Sequence, residues 1–263
     1  MILDRFRLTD KVAIVTGAGR GIGRGIALGL AQAGAAVVGA ARTPATIDEV
    51  AQEIRRAGGR ALAVPCDVND SAQLGEVVAQ TLKEFGRIDV VVNNAGGTPP
   101  SGALKTSEKA FEQAFHFNVT TAFVLTRLAA PHMFEVGGGV VLNISSALSH
   151  LVEKPFVAYG TAKAALNHMT RLLAYEFAPR IRVNAIAVGS VETDALSPFL
   201  KARPDLRTKM EQLTPMKRIG TPEDIAAAAL YLTSPAASWV TGKVFEVDGG
   251  TFTSNWPLDL SGI

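Results

Sequence analysis

The feature that most constrains this chain is a series of short apolar segments that do not alternate with polar residues. Val12–Thr16, Ala36–Ala40, Ala61–Pro65, Val90–Val92, Val140–Ile144, Arg182–Ala187 and Val244–Val247 are mostly apolar throughout and rich in Val, Ile and Ala. A strand solvated on one face alternates; a strand buried on both faces does not. The segments therefore predict the strands of a parallel sheet covered on both sides. Helical patterns lie between them: Ile22–Ala33, Ala45–Ala57, Ser71–Phe85, Ser107–Val136, Phe156–Phe177 and Pro222–Leu232. Gly58-Gly59, Gly86 and Gly137-Gly138-Gly139 supply stops, and Pro222 after Thr221 supplies a start. Strand–helix alternation with right-handed crossovers predicts a doubly wound α/β sheet.

Length and composition fit a single domain over residues 1–263. With 48% hydrophobic and 19% charged residues, the chain has the apolar material for one large core. A formal net charge of +2 argues for neither nucleic acid nor an anionic membrane as partner. Cys66 is the single cysteine, so no intrachain disulfide forms, which fits a reducing compartment. Met1–Asp10 is charged rather than apolar, and stretches such as Ile225–Leu232 are too short to span a bilayer. Cytoplasmic residence is the resulting expectation. Glu192–Lys217 interrupts the rhythm with Pro198, Pro204, Pro215 and several charges. An insertion of that length is expected to be a substrate lid, or else a surface excursion.

Between the first strand and the first helix lies Thr16-Gly17-Ala18-Gly19-Arg20-Gly21-Ile22-Gly23. Glycines let the backbone turn sharply there, and the following helix aims free N–H groups and its positive end at an anion such as a pyrophosphate. Tyr159 and Lys163 stand one turn apart in a predicted helix and share a face. An ammonium beside a phenol favours the phenolate and is expected to lower a pKa that is ordinarily about 10. Ser145-Ser146 end the fifth strand, and either hydroxyl could hold a developing alkoxide. Each motif alone also has a plain reading, as a turn, a half-buried aromatic or a solvated charge.

Together the motifs resemble the classical short-chain dehydrogenase/reductase family, over Lys11–Gly250. Gly17, Gly21 and Gly23 have the family's G-x-x-x-G-x-G spacing, Ser146 precedes Tyr159 by the family's interval, and Asn118 in Phe117-Asn118-Val119-Thr120 matches its fourth catalytic position. The resemblance implies a single-domain Rossmann fold with a seven-stranded parallel sheet. It implies hydride transfer between a nicotinamide cofactor and a carbonyl or secondary alcohol. Tyr159 would be the general acid/base, Ser146 the donor to the substrate oxygen, Lys163 the holder of the ribose hydroxyls and Asn118 the organiser of a water. Cofactor contacts would come from Gly17, Gly19, Arg20, Gly21, Ile22 and Gly23 in the loop. Asp67 would meet the adenine amino group, with Val68 beside it. After the fourth strand Asn94, Ala95 and Gly96 would approach the ribose, while Asn93 braces the strand ends. Gly189, Val191 and Thr193 would lie near the carboxamide. The family usually has Pro-Gly where this chain has Val188-Gly189, a change expected to loosen or reshape that turn.

The end of the second strand separates NAD from NADP. An acid there binds a ribose 2′-hydroxyl. This chain reads Gly39-Ala40-Ala41-Arg42-Thr43, and Asp48 and Glu49 fall inside the next helix. Arg42, flanked by Thr43, could pair with a 2′-phosphate, and Arg20 could clamp it from the other side. NADP is the expected cofactor, although both arginines could also be plain surface charges. His116, His132 and His168 lie in helices without ligand grouping, so no metal is expected. His150 is expected at the cleft rim, with or without a role. Family members pair subunits through the helices carrying Asn118 and Tyr159, so apolar positions such as Phe115 and Ala122 imply a homotetramer, or ordinary core packing.

Leu213–Gly220 and Ser234–Gly242 resemble the bacterial 7α-hydroxysteroid dehydrogenases, and 3-oxoacyl-carrier-protein reductases share the frame. Leu196, Phe199, Leu200, Leu206 and Met210 point to a bulky apolar alcohol or a steroid as one candidate among small carbonyl and alcohol substrates. Two other classes fit the fold: a non-catalytic NADP-binding regulator, and a sugar-nucleotide epimerase or dehydratase. The intact Ser/Tyr/Lys/Asn set argues against the first. The short C-terminal part and the loop spacing argue against the second.

Overall fold

Seven strands form one parallel sheet in the computed structural model: β1 Val12–Thr16, β2 Ala36–Ala41, β3 Ala61–Pro65, β4 Val90–Asn93, β5 Gly139–Ser146, β6 Ile181–Val188 and β7 Val244–Val247. The model describes residues 1–194 and 196–256, and of Pro198, Phe199, Ala202 and Pro204 the backbone alone. The sheet order is β3-β2-β1-β4-β5-β6-β7, so the winding reverses between β1 and β4. That reversal opens a crevice at the carboxyl ends of those strands, where ligands bind in sheets of this kind.

Both faces are covered, which explains the lack of alternation in the sequence. Ala13 and Val15 of β1 enter one core together with Ile26, Ala27 and Leu30 of α1 (Gly21–Gln32) and Ile225, Ala229 and Leu232 of α9 (Pro222–Thr233). Ile14, between them, enters the other core with α3 (Ser71–Phe85), α5 (Thr121–Glu135) and α6 (Val157–Phe177). Both cores are apolar, so neither face of β1 needs polar side chains. The helix ends follow their sequence signals. Asp70 accepts from the Ala72 N–H to start α3, and Gly86 ends it at φ +73°. Thr221 and Asp224 form a reciprocal cap at the start of α9. The second helix, α2, runs Pro44–Arg56.

Two elements depart from the sequence reading. The expected helix 107–136 is α4 (Glu108–Phe115) and α5 joined through a π turn at His116–Thr120. Apolar spacing continues across the join, so periodicity does not reveal it. The insertion at 192–217 contains two helices, α7 (Ser197–Ala202) and α8 (Pro204–Leu213), where no regular element was expected. Among the described residues no helix is long and apolar enough to cross a membrane.

Candidate active site

The crevice is a cavity of about 740 Å³ that runs from the β1–α1 loop to the last residues described. Its floor is made at the end of β1. The Thr16 hydroxyl accepts from the Asn94 and Ala95 N–H groups, each at 3.0 Å, which ties β1 to β4. The Asn94 side-chain amide donates to the Thr16 carbonyl at 2.8 Å, so its polar work in this structure is to brace the loop. Gly17 takes φ +65°, the left-handed region that favours glycine. A Cβ at Gly23 would lie 2.2 Å from the Gly17 carbonyl oxygen, and one at Gly19 would lie 2.3 Å from the Thr46 hydroxyl. The loop is thus folded against the first turn of α1 and against α2, in a space that no larger residue fits. Gly21 and Ile22 open α1 beside it, and both line the cavity. The shape suits an anion such as a pyrophosphate: backbone at close range, at a helix start whose N–H groups point outward.

The far end of the cavity, where the sequence places the adenine, gathers the expected residues. Arg20, the residue preceding α1, and Arg42, just past β2, are both exposed and line the same cavity, with Thr43 between β2 and α2. No acid stands at the end of β2; the position is Ala41. Asp67 and Val68 line the wall beyond β3. One oxygen of Asp67 accepts from the backbone and side-chain amides of Asn69, at 3.0 and 2.9 Å, which fixes the carboxylate. Cys66 also faces this wall. Burial, with Asp67 and Asp70 nearby, pushes its thiol up to about 11, so it is no thiolate near neutrality.

Ser146, Tyr159 and Lys163 come together where β5 meets α6. Lys163 is buried, and its amine donates to the Ile144 carbonyl at 2.8 Å. Its nitrogen lies 5.7 Å from the centre of the Tyr159 ring. Burial pulls the lysine down to about 8. Ser146 hydrogen-bonds the Tyr159 phenol, and its Oγ accepts from the Leu148 N–H at 3.2 Å. Ser145 turns away and donates to the Lys163 carbonyl at 3.3 Å, so of the two hydroxyls left open by the sequence it is Ser146 that stands with the tyrosine. Burial raises the Tyr159 pKa above its ordinary value, and the bond to Ser146 offsets this only in part. The lowering is expected from the Lys163 ammonium together with the positive nicotinamide ring; the lysine amine by itself, set against the Tyr159 ring and desolvated, does not outweigh burial.

Asn118 lies at the centre of the π turn and does not line the cavity. Its Nδ2 donates to the Ala114 carbonyl at 2.8 Å, the Thr98 hydroxyl at 3.1 Å and the Gly97 carbonyl at 3.2 Å, while its Oδ1 accepts from the Gly97 N–H at 2.8 Å. It sits behind Gly96, where a Cβ would come within 2.8 Å of Asn118 Oδ1 and 3.1 Å of Lys163 Nζ. Gly96 therefore separates the asparagine from the lysine by the thickness of a bare backbone. Asn93 braces the sheet as expected, donating to Asn143 at 2.9 Å and Thr126 at 3.1 Å.

Around the turn after β6, Val188 is the last residue of the strand and pairs with Ser146 and Val247. The Gly189 N–H donates to the Val247 carbonyl at 3.1 Å, which ties the start of the turn to β7. Gly189 is obligatory: a Cβ would lie 2.5 Å from the Asp248 Cα. Val191 and Thr193 follow on the cavity wall, and Val191 bridges to Gly220.

The lid residues behave differently from their sequence reading. Leu200, Leu206 and Met210 are buried with Leu196 and Ile219 in a small core of the insertion's own, and of the described members of the expected set only Leu196 lines the cavity. The Phe199 side chain lies outside the described residues. The substrate side of the cavity instead uses Leu148, Leu151, Phe156, Asn255 and Trp256, which the sequence reading did not single out. His150 points elsewhere, with Nε2 3.7 Å from Glu246 Oε1. His150, Glu246 and Asp248 bring ligand-type atoms within 4.8 Å of one another, a grouping the sequence did not suggest; exposed acidic groups of this sort are common without an ion.

Comparison with known proteins agrees with this geometry. The family model described as Enoyl-(Acyl carrier protein) reductase matches residues 17–252. An uncharacterized oxidoreductase of Mycobacterium tuberculosis (strain CDC 1551 / Oshkosh) is 53% identical over 261 residues, covering 99% of each chain. The 7α-hydroxysteroid dehydrogenase of Escherichia coli (strain K12) is 41% identical over 248 residues, covering 94% of this chain and 96% of its own. A solved 7α-hydroxysteroid dehydrogenase complexed with NADH and 7-oxo glycochenodeoxycholic acid superposes with a TM-score of 0.91 at 41% identity, over 95% of this chain and 97% of that one. With its glycine cradle, its Ser/Tyr/Lys group and these relatives, the chain belongs to the classical short-chain dehydrogenase/reductase family of oxidoreductases.

Proposed function

We propose that this protein is an NADP(H)-dependent alcohol dehydrogenase or carbonyl reductase acting on a ketone or secondary alcohol. The observation that carries the reading is the Ser146–Tyr159–Lys163 group, with Ser146 and Lys163 buried and Tyr159 half-buried, set in the same cavity as the glycine loop. The nicotinamide, when bound, supplies or accepts the hydride. The protein's own residues handle the oxygen and its proton. Ser146 donates to the substrate oxygen, and Tyr159, whose burial keeps its proton in place, gives that proton to the oxygen in reduction. In oxidation Tyr159 takes it back, which requires a nearby positive charge to make the phenolate accessible. Lys163 can supply part of that charge: at about 8 its amine stays largely protonated near neutrality. When the cofactor is bound, Lys163 would also hold the ribose hydroxyls. Asn118 acts from behind, holding Gly97 and Thr98 in place against the π turn.

The bare backbone of Gly17, Gly19, Gly21 and Gly23 fits a dinucleotide pyrophosphate, with Ile22, Asn94, Ala95 and Gly96 completing the wall. Asp67 and Val68 suit the adenine, and Gly189, Val191 and Thr193 the carboxamide. NADP is favoured over NAD by Arg20, Arg42 and Thr43 at the open end and by Ala41 where an acid would repel the extra phosphate. Residues 192–217 are read as the lid. Exposed Phe111, Phe115 and Phe123 on α4 and α5, with Leu172 and Tyr175 on α6, support a homotetramer. The lone thiol Cys66 supports a cytoplasmic setting.

Tyr159→Phe tests the reading. It removes the transferable proton and leaves the cradle intact, so kcat is expected to fall at least about a hundredfold while the NADPH dissociation constant stays unchanged. Turnover close to wild type in this variant contradicts the assignment. A wild-type protein that binds NADPH but reduces nothing in a broad carbonyl panel favours a regulator instead.

A further inference from the structure

The segment after β7 folds back across the cavity and ties together three distant parts of the chain. Asn255 is 5% exposed, although its amide is polar at both ends. Its Oδ1 accepts from the Ser190 hydroxyl at 2.8 Å, and its Nδ2 donates to the Thr214 hydroxyl at 2.8 Å. Thr214 in turn donates to the Met210 carbonyl at 2.8 Å, closing the carboxyl end of α8. One carboxamide therefore joins the turn after β6 to the foot of the lid, with both of its polar atoms hydrogen-bonded, the bond to Thr214 in a buried site. Buried polar links of this kind specify one arrangement, because breaking either bond leaves an unpaired group in a dry site.

Trp256 is the next residue. Its ring lies 5.9 Å from Phe156, whose ring lies 6.4 Å from that of Tyr159. Trp256 also packs on the lid core of Leu196, Leu200, Leu206, Met210 and Ile219. The aromatic line thus runs from the proton donor to the lid, and Phe156, Trp256 and Leu196 all line the cavity. Leu148 and Leu151 add to the apolar wall. Apart from Lys163, the charged side chain lining this half among the described residues is Asp194, an acid that offers an anionic group no partner.

We propose that Asn255 and Trp256 complete the substrate cleft: Asn255 is a positioning residue that fastens the lid to the turn after β6, and Trp256, opposite Phe156, selects neutral ring-bearing carbonyl compounds over short acyclic ones. The proposal rests on the oxidoreductase reading above and deepens it. Ring faces gain from aromatic contact and from the area they bury, whereas a short chain reaches only the catalytic end of the cleft.

The chain has two tryptophans, and the other, Trp239, is 98% exposed. In a Trp239→Phe background the emission comes from Trp256 alone, which gives a binding signal independent of turnover. With NADPH or NADP present, a bicyclic ketone (decalone) is expected to change that emission saturably, and butanone at the same concentration is not. In the catalytic assay Trp256→Ala is expected to raise KM for decalone about tenfold and for butanone less than about twofold, with Trp256→Phe restoring most of the loss. Asn255→Ala is expected to raise KM for both ketones while kcat and the cofactor dissociation constant stay within about twofold. An emission that ignores decalone, or equal KM changes for the two ketones in Trp256→Ala, overturns the proposal even if Asn255→Ala fails to fold. Turnover of both ketones without an emission response sinks this inference and leaves the oxidoreductase reading standing. A specific emission response to decalone without turnover of either ketone supports the cleft assignment and sinks that reading.

Discussion

Lys163 shows how a single residue can be placed against its own solvation. Its amine is buried, donates to one carbonyl and is pulled down from its ordinary 10.5 to about 8. Between those values the folded protein binds fewer protons than the unfolded chain, so this group's contribution to stability rises with pH from 8 to 10.5 and is lost as pH falls through 8. Tyr159 acts in the opposite sense: its folded pKa is raised, so its contribution is present below 10 and lost as pH rises beyond it. Lys163→Met removes the first effect alone. Its thermal midpoint is expected to stand highest relative to wild type near pH 7, and the difference is expected to narrow steadily toward pH 10. A difference that is flat with pH contradicts a desolvated amine. The spacing of Tyr159 and Lys163 was legible because a helix repeats. The sense of the tyrosine's shift was not, since it depends on how far burial outweighs a charge that spacing alone cannot locate.

At the scale of elements, the strand ends and the turns after them carry the site. The cradle works because α1 begins directly over Gly17, with Gly23 against its carbonyl. Gly23→Ala forces that contact apart and is expected to cost about 1–3 kcal/mol of stability and to weaken NADPH binding well beyond that of a distant control such as Gly75→Ala. Gly75 has open space around it. Calorimetric unfolding and a cofactor titration check both, and unchanged affinity in Gly23→Ala contradicts the close-approach argument. The strands could be read from sequence because burial on two faces leaves an unbroken apolar run. The π turn could not, since Phe117, Val119 and Ala122 continue an apolar pattern through it. Helices α7 and α8 were missed for a related reason: their apolar residues face a private core rather than the sheet, amid prolines that suggest a loop.

At the scale of the whole molecule, distance along the chain set what could be foreseen. Ser190 and Thr214 meet Asn255 across separations of 65 and 41 residues, and no local pattern announces such a meeting. The cofactor half, by contrast, is built from motifs that each sit at one strand end. Association is the remaining whole-molecule property. Phe115 and Phe123 are 39% and 42% exposed, and Tyr175 is 89% exposed, on three successive helices. Sedimentation is expected to give a tetramer, and Phe123→Glu with Tyr175→Ser to give a smaller species that retains its secondary structure. A monomeric wild type contradicts the assembly proposal without touching the site.

NADP(H)-dependent carbonyl and alcohol chemistry in this cavity is the proposal on which the others rest. The most direct test follows the near-ultraviolet absorbance of the reduced nicotinamide with a panel of ketones, NADPH and NADH side by side. The account predicts turnover with a kcat/KM for NADPH at least about tenfold above that for NADH, the preference arising at Arg20 and Arg42. Turnover with NADH alone, or tight NADPH binding with no turnover across the panel, would contradict it.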